Sequence, residues 1–132
     1  YRADLVEEMF HAMLRARLDE IRQRPEAPFA FSFSYTNTMG RAVDVFNIFA
    51  GAKPGQADGA IKTLLTEVER VRRHGFLAAE LGRVKAEHMR DLERGVAEAE
   101  TVEGQGYAFG LVEHFLEGHT MIGRQANLDL AK

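Results

Sequence analysis

Two histidines and a glutamate near the C-terminal end have the residue types that bind zinc: His114, Glu117 and His119. Helical zinc sites of the HExxH and HxxEH types place two histidines at i and i+4 on one helix face, beside a glutamate. In this chain the histidines are five residues apart, so a helix would turn the second by about 140° from the first. Gly118 also weakens a helix between them. The spacing therefore predicts no metal site in this segment.

The other three histidines, His11, His74 and His88, are isolated from one another along the chain. His11 lies on the polar margin of the first predicted helix and His88 on the inner stripe of the third. An isolated helical histidine is usually hydrogen-bonded or half-buried, and we predict that state for both. His74 ends the second predicted helix, where a cation suits the negative end of the helix dipole.

Nucleophilic catalysis has no clear set of residues in this sequence. The only serines, Ser32 and Ser34, lie inside a predicted strand rather than in a GxSxG turn. A GxG sequence at 104–106 has no strand before it, which makes phosphate binding a weak interpretation. With no cysteine, the chain has no disulfide, thiolate metal site or cysteine nucleophile. We predict no catalytic, cofactor-binding or metal-ligating residue in this chain.

Composition indicates one soluble-type domain, or a fragment of one, over residues 1–132. Apolar residues make up 45% and charged residues 28% of the chain, both ordinary for globular proteins. The formal net charge of −3 gives no reason to expect binding to nucleic acid or to an anionic membrane. No apolar run approaches the roughly 20 residues that a membrane-spanning helix needs.

Two predicted strands, 28–37 and 41–51, organise the chain, with turn residues between them. In the first strand, Phe29, Phe31, Phe33 and Tyr35 alternate with small or hydroxyl residues, a period-2 pattern typical of a strand. This spacing places the four aromatic residues on one face. We expect Phe29, Phe31 and Phe33 to pack in a core rather than to line a ligand groove.

The second predicted strand is apolar on both faces, which favours a position inside a sheet, covered on both sides. Two strands alone are only marginally stable. We therefore expect further strands from polypeptide outside this sequence.

Helical periodicity covers most of the remaining chain, and Gly75 is expected in the left-handed conformation after the second helix. In the tail, Leu128 and Leu130 could begin another element. The pattern predicts an α+β fold, with amphipathic helices packed on one side of a partial antiparallel β-sheet. The predicted helices are 3–23, 56–74, 78–100 and 102–117.

Five segments, in order, resemble one part of the pitrilysin/insulinase-type zinc metallopeptidases. They cover residues 5–118 and include a helix with an LxxRLxE core, a proline-bounded aromatic strand, an AKPG strand exit, an HGF sequence followed by a second helix, and an HFLxG segment. In this sequence they are residues 13–21, 28–30, 49–55, 67–85 and 113–118.

The resemblance implies a metallopeptidase-like, non-catalytic domain that follows the zinc-binding domain of the parent protein. No HxxEH motif occurs in this chain, so no catalytic or zinc-binding residue carries over, and the chain alone is not expected to be an enzyme. The resemblance implies zinc and a peptide substrate in the parent protein. There the domain would form part of the wall of a peptide-binding chamber and contact other domains of the same polypeptide or a partner subunit.

Two alternatives remain open from the sequence. The chain could be a free-standing α+β module that binds a protein partner, or a structural subunit with an inactive peptidase fold. Exposed sheet edges would also favour a homodimer by strand pairing. The compartment is not determined, although the resemblance is compatible with the bacterial periplasm.

Overall fold

The computed structural model describes residues 2–39, 43–98, 111, 115 and 123–131. The described part has an α+β fold with an antiparallel two-stranded sheet, which confirms the predicted fold class. Its elements are α1 (Arg2–Arg22), β1 (Phe29–Met39), β2 (Val43–Ala52), α2 (Ala57–His74), α3 (Ala78–Ala97) and α4 (Arg124–Ala131).

The chain divides into two compact units, residues 1–84 and residues 85–132. Helix α3 begins in the first unit and continues in the second. Within the second unit, Arg124 Nη1 donates to the Gly95 carbonyl at 2.8 Å, and Leu128 is buried. Helix α4 is absent from the predicted helices, although Leu128 belongs to it.

One predicted helix is shorter in the structure, and another lies mostly outside the described residues. Helix α3 ends at Ala97 and Glu98 lies in a turn, so the described helix is shorter than the predicted 78–100. Gly95 lowers helix propensity at this end. The predicted helix 102–117 lies outside the described residues except for Leu111 and Phe115, both of which are helical.

In the first unit, α1 packs on β1 and α2 packs on β2. Each helix repeats apolar residues at i and i+4, which gives it one buried stripe. Burying such a side chain completely stabilises the fold by about 1.5–3 kcal/mol. The shared core consists of Leu14, Leu18, Phe29, Ala60 and Leu64. A second cluster is formed by Met9, Met13 and Val84.

The pairing of β1 with β2 is antiparallel and contains one irregularity, between Phe29 and Phe31. Phe29 pairs with Ala52 and Phe31 with Gly51, so Ala30 is an extra residue on β1, a β-bulge. Because a bulge inserts one residue into the alternation, Phe29 shares the helix-covered face with Ser32, Ser34 and Thr36. The prediction that Phe29 lies on the same face as Phe31 is therefore wrong.

Strand β2 alternates as predicted, but its coverage differs from the prediction. In the described residues, β2 pairs only with β1. One face lies under the helices, and the other leaves Val43 and Phe49 exposed. The expectation that β2 is covered on both faces is therefore wrong for the part of the chain that the structure describes.

An ion pair joins α1 to the start of α3. Arg17 Nε and Nη2 donate to the two carboxylate oxygens of Glu80 at 2.5 and 2.8 Å, and Nη2 also donates to the Gly75 carbonyl. The guanidinium lies over the Phe76 ring, 4.8 Å from its centroid. The hydrogen bond from Arg17 is the main cause that lowers the pKa of Glu80 from 4.5 to about 2.

Gly75, in the turn before α3, adopts a positive φ angle, but not the left-handed helical conformation that the sequence predicts. Gly75 has φ 67° and ψ −155°, a region that is essentially restricted to glycine but is not the left-handed helical one. Its N–H donates to the Val71 carbonyl at 2.8 Å and ends α2.

Candidate partner-binding surface

Three of the histidines considered in the sequence analysis lie within the described residues: His11, His74 and His88. His114 and His119 lie outside those residues, while His74 occupies the last turn of α2 as predicted. Within the described ranges there is no group of three or more histidine, aspartate or glutamate residues that could hold a metal ion. No helix in these ranges is long and apolar enough to span a membrane.

The structure brings a histidine and a serine together on the helix-covered face of the sheet. His11 Nδ1 lies 2.8 Å from Ser34 Oγ, and His11 Nε2 lies 3.0 Å from Thr36 Oγ1. The imidazole stacks on the Phe46 ring with centroids 5.7 Å apart. The prediction that His11 is hydrogen-bonded or half-buried is confirmed, since both ring nitrogens have hydroxyl partners. Its partners were not predictable, because they follow it by 23 and 25 residues.

Electrostatics at His11 favour the neutral imidazole. Burial is the largest cause and lowers the pKa of His11 below 6.5, and the nearby Arg15 lowers it further. Glu7, whose carboxylate lies 3.8 Å from Nε2, acts in the opposite direction. A neutral imidazole can donate from one nitrogen and accept at the other, which suits two hydroxyl partners.

A serine within reach of a histidine is the geometry of an activated nucleophile, but this pair is badly placed for catalysis. Ser34 is only 6% exposed, because α1 covers it. Both nitrogens of His11 are occupied by hydroxyl groups of the same strand. The contacts instead hold α1 on β1, so we assign the pair a structural role.

The opposite face of the sheet carries an exposed aromatic cluster, here called the aromatic face: Phe31, Phe33, Tyr35 and Phe49. The rings of Phe33 and Phe49 stack with centroids 5.1 Å apart, and Tyr35 stacks on Phe49 at 5.9 Å. The four side chains remain 39–56% exposed. The prediction of core packing is therefore correct for Phe29, which is fully buried, and wrong for Phe31 and Phe33 in the described structure.

Gly51 allows the Phe31 ring to lie across β2. A Cβ atom at this position would overlap three atoms of that ring. Glycine is used where a side chain approaches the backbone this closely. The close approach places Phe31 beside the stacked rings and extends the aromatic face toward the end of the sheet.

Beyond the aromatic face, the same side of the sheet becomes polar and then apolar again. Asn47 Nδ2 donates to Asn37 Oδ1 at 2.6 Å across the strands. Met39 and Val43 follow near the turn, and both are exposed. None of the ten residues at these outward positions is charged: residues 31, 33, 35, 37, 39, 43, 45, 47, 49 and 51.

A second exposed apolar surface lies on α2. Ile61 and Leu65, four residues apart, are 58% and 61% exposed. They line a shallow groove of about 670 Å³ together with charged side chains of the same helix. One of these, Glu69, accepts hydrogen bonds from Arg72 and Arg73, which lower its pKa to about 2. This surface combines an apolar pair with ion pairs already formed within α2.

The sequence matches no known family model and no curated protein sequence. The fold, in contrast, is similar to part of a solved structure, the periplasmic protease PqqL from Escherichia coli, with a TM-score of 0.81 and 20% sequence identity. The match covers 98% of this chain and 14% of the protease chain. The chain therefore shares its fold with a segment of that protease and spans about one seventh of its length.

Proposed function

We propose that the chain is a non-catalytic domain, or part of one, of a zinc metallopeptidase of the pitrilysin/insulinase type. The observation that carries this proposal is the structural match to PqqL over 98% of the chain. The five sequence segments that resemble the same family support it independently, since they depend on residue identities rather than on the fold.

In this proposal the sheet contributes to the wall of a peptide-binding chamber. An uncharged aromatic face that is exposed in the isolated chain suits a surface that contacts polypeptide. The exposed Ile61 and Leu65 on α2 suit a contact with another domain of the same polypeptide or with a partner subunit. Zinc would be bound elsewhere in the parent protein, because this sequence has no HxxEH motif.

The proposal is tested by two measurements. The complete reading frame should encode an HxxEH motif upstream of this segment. The isolated chain should neither bind zinc stoichiometrically in calorimetry nor cleave a broad peptide mixture when zinc is added. Chelator-sensitive cleavage by the isolated chain would overturn the proposal. A complete reading frame without the HxxEH motif would also overturn it if no partner subunit carries that motif.

A free-standing interaction module is the second candidate, and the exposed aromatic face is the observation that favours it. The complete reading frame separates the two, because a free-standing module would end close to these 132 residues. A structural subunit with an inactive peptidase fold would instead have the full length of a protease half without the zinc motif.

A periplasmic location is part of the first proposal, since PqqL is described as a periplasmic protease. Fractionation of cells that produce the full-length protein tests it. Recovery with the periplasmic fraction is expected, and recovery only with the cytosol would contradict this part of the proposal.

A further inference from the structure

The outward face of α2, here called the α2 surface, lies on the side of the helix turned away from the core residues Ala60 and Leu64. Its apolar pair, Ile61 and Leu65, is more than half exposed. Charged side chains of the same helix flank this pair. The complete set is Asp58, Ile61, Lys62, Leu65, Glu69, Arg72 and Arg73.

The charges on the α2 surface are distributed unequally along the helix. In the C-terminal half, Glu69 accepts hydrogen bonds from both Arg72 and Arg73, so two cations share one carboxylate. In the N-terminal half, Asp58 and Lys62 form no ion pair with any other described residue. One end of the surface therefore has a surplus positive charge, and the other has a carboxylate and an ammonium group without an ionic partner.

The spacing of these residues places them on one narrow stripe of α2. Asp58, Lys62, Leu65, Glu69 and Arg72 follow one another at intervals of four, three, four and three residues, which is the spacing of a seam between two packed helices. The stripe is nearly symmetric about Leu65. Asp58 and Arg72 are each seven residues away, while Lys62 lies three residues before and Glu69 four residues after. Residues at matching distances from Leu65 therefore have opposite charges.

A twofold axis near Leu65 would make the α2 surface complementary to itself. In an antiparallel helix pair about such an axis, a residue before Leu65 in one copy meets the residue at the matching distance after Leu65 in the other. Lys62 then meets Glu69, Asp58 meets Arg72, and the two Leu65 side chains meet near the axis. A parallel pair would instead bring Lys62 against Lys62 and Glu69 against Glu69, where like charges repel. The charge pattern thus favours one orientation and one register.

We propose that two copies of this chain associate through the α2 surface, packed antiparallel about a twofold axis near Leu65. Ile61 and Leu65 supply the apolar contact, and the charges fix the orientation, since exposed ion pairs add little affinity. One face of an 18-residue helix offers less than the roughly 800 Å² per partner of a standard interface, so the dimer is weak and depends on protein concentration. The inference deepens the proposed function, on which it rests for the role of α2 as an interface, by naming a second copy as the partner subunit.

Charge reversal and mixing test the proposed pairing. Sedimentation velocity of the 132-residue chain at low ionic strength, from about 10 µM to about 1 mM, should show a monomer–dimer equilibrium. Lys62→Glu places a carboxylate against Glu69 of the other copy, and Glu69→Lys places two ammonium groups together. Each variant alone should dimerise roughly tenfold more weakly than the parent chain. An equimolar mixture should associate about as tightly as the parent chain, because the heterodimer has opposite charges at both contacts.

A matched control separates this contact from a general effect of net charge. Lys85→Glu makes the same charge change at an exposed position of α3 and should leave dimerisation unchanged. Circular dichroism measures whether each variant keeps the helical content of the parent chain. Recovery of the dimer in the mixture would also show that neither variant has lost its fold.

A single introduced thiol tests the position of the axis. The chain has no cysteine, so Leu65→Cys adds one thiol, which the twofold axis places beside its own copy. Cysteine also keeps part of the apolar contact. Oxidation should form disulfide-linked dimers roughly tenfold faster than in Val6→Cys, which places the thiol at an exposed position on α1.

A monomer at all concentrations would overturn the inference, as would a mixture that associates no more tightly than its two components. Equal cross-linking rates of Leu65→Cys and Val6→Cys would also contradict it. A dimer that is lost in Phe33→Ala but kept in Lys62→Glu would place the contact on the aromatic face instead. None of these results bears on the upstream HxxEH motif, so the proposed function can stand when this inference fails. Absence of that motif together with a charge-dependent dimer would remove the peptidase role and retain the α2 contact.

Discussion

The two faces of the hairpin contain residues from the same two strands but differ in nearly every physical property. The covered face has Phe29 in the core and three hydroxyl residues under α1, two of which contact His11. The outward face has four exposed aromatic residues and no charge. The covered side of β2 is apolar, with Ile48 and Ala50 packed against the core, so the buried hydroxyl groups come from β1. The exposed aromatic residues are therefore available for contact with another molecule, whereas the hydroxyl residues hold α1 on β1.

The largest expected effect separates Phe29 from Phe31, two phenylalanines of one strand. Phe29→Ala should lower the free energy of unfolding by about 3–5 kcal/mol, because it leaves a cavity in the core. Phe31→Ala should lower it by less than about 1 kcal/mol, since the side chain is already more than half exposed. Urea unfolding followed by circular dichroism measures both. Equal losses would mean that the bulge does not separate the two faces in solution.

A second prediction concerns the ion pair that fixes the covered side of the unit. Glu80→Gln should lower the free energy of unfolding by about 2 kcal/mol at pH 7, because it removes a charge-assisted pair with Arg17. The pKa of Glu80 is lowered to about 2 in the folded chain from the ordinary value of 4.5 that applies to the unfolded chain. The contribution is therefore fully present above pH 4.5 and is lost as the pH falls toward 2. The parent and variant unfolding curves should converge over that interval, and a difference that persists at pH 2 would contradict the assignment.

The third prediction compares two serines on the covered face. Ser34→Ala should cost about 1 kcal/mol, because it removes the hydroxyl that contacts His11 Nδ1. The buried Oγ of Ser32 has no hydrogen-bond partner among the described residues. Ser32→Ala should therefore stabilise the chain by up to about 1 kcal/mol. Denaturation midpoints that move in the same direction for both variants would show that the two hydroxyls do not differ in this way.

The smallest effect is the pH dependence of the contact between α1 and β1. The pKa of His11 is lowered from 6.5, chiefly by burial. Because the unfolded chain takes up a proton before the folded chain does, stability should decline as the pH falls below 6.5 toward the lower folded value. His11→Gln should flatten this part of the stability profile. A histidine titration by NMR that gives a pKa of 6.5 or above would contradict the prediction.

Much of the first unit could be predicted from local sequence. The predicted bounds of α1 and α2 differ from the observed bounds by at most one residue at each end. They could be predicted because the apolar repeat of an amphipathic helix shows which side is buried. The period-2 alternation of β1 beyond the bulge was also predictable. Helix α4, whose eight residues carry only a short apolar pattern, was not.

The candidate surface was harder to predict, and Phe31 and Phe33 show why. Their residue types indicate burial, since aromatic residues usually enter the core. In the described structure, α1 and α2 both pack on the face opposite Phe31 and Phe33. The residue types alone therefore predicted burial for two side chains that are exposed. His11 was recognised as a hydrogen-bonding residue, but its partners on β1 were beyond any local pattern.

The sequence by itself determined the α+β class, the order of the main helices and strands, and the absence of an HxxEH motif, because each depends on local periodicity or on residue identity. Only the tertiary structure decided which face of the hairpin is covered. That outcome depends on one extra residue at Ala30 and on where two helices pack. A shift of one residue exchanges the faces of a strand, so no count of aromatic residues along the chain could have located the exposed surface.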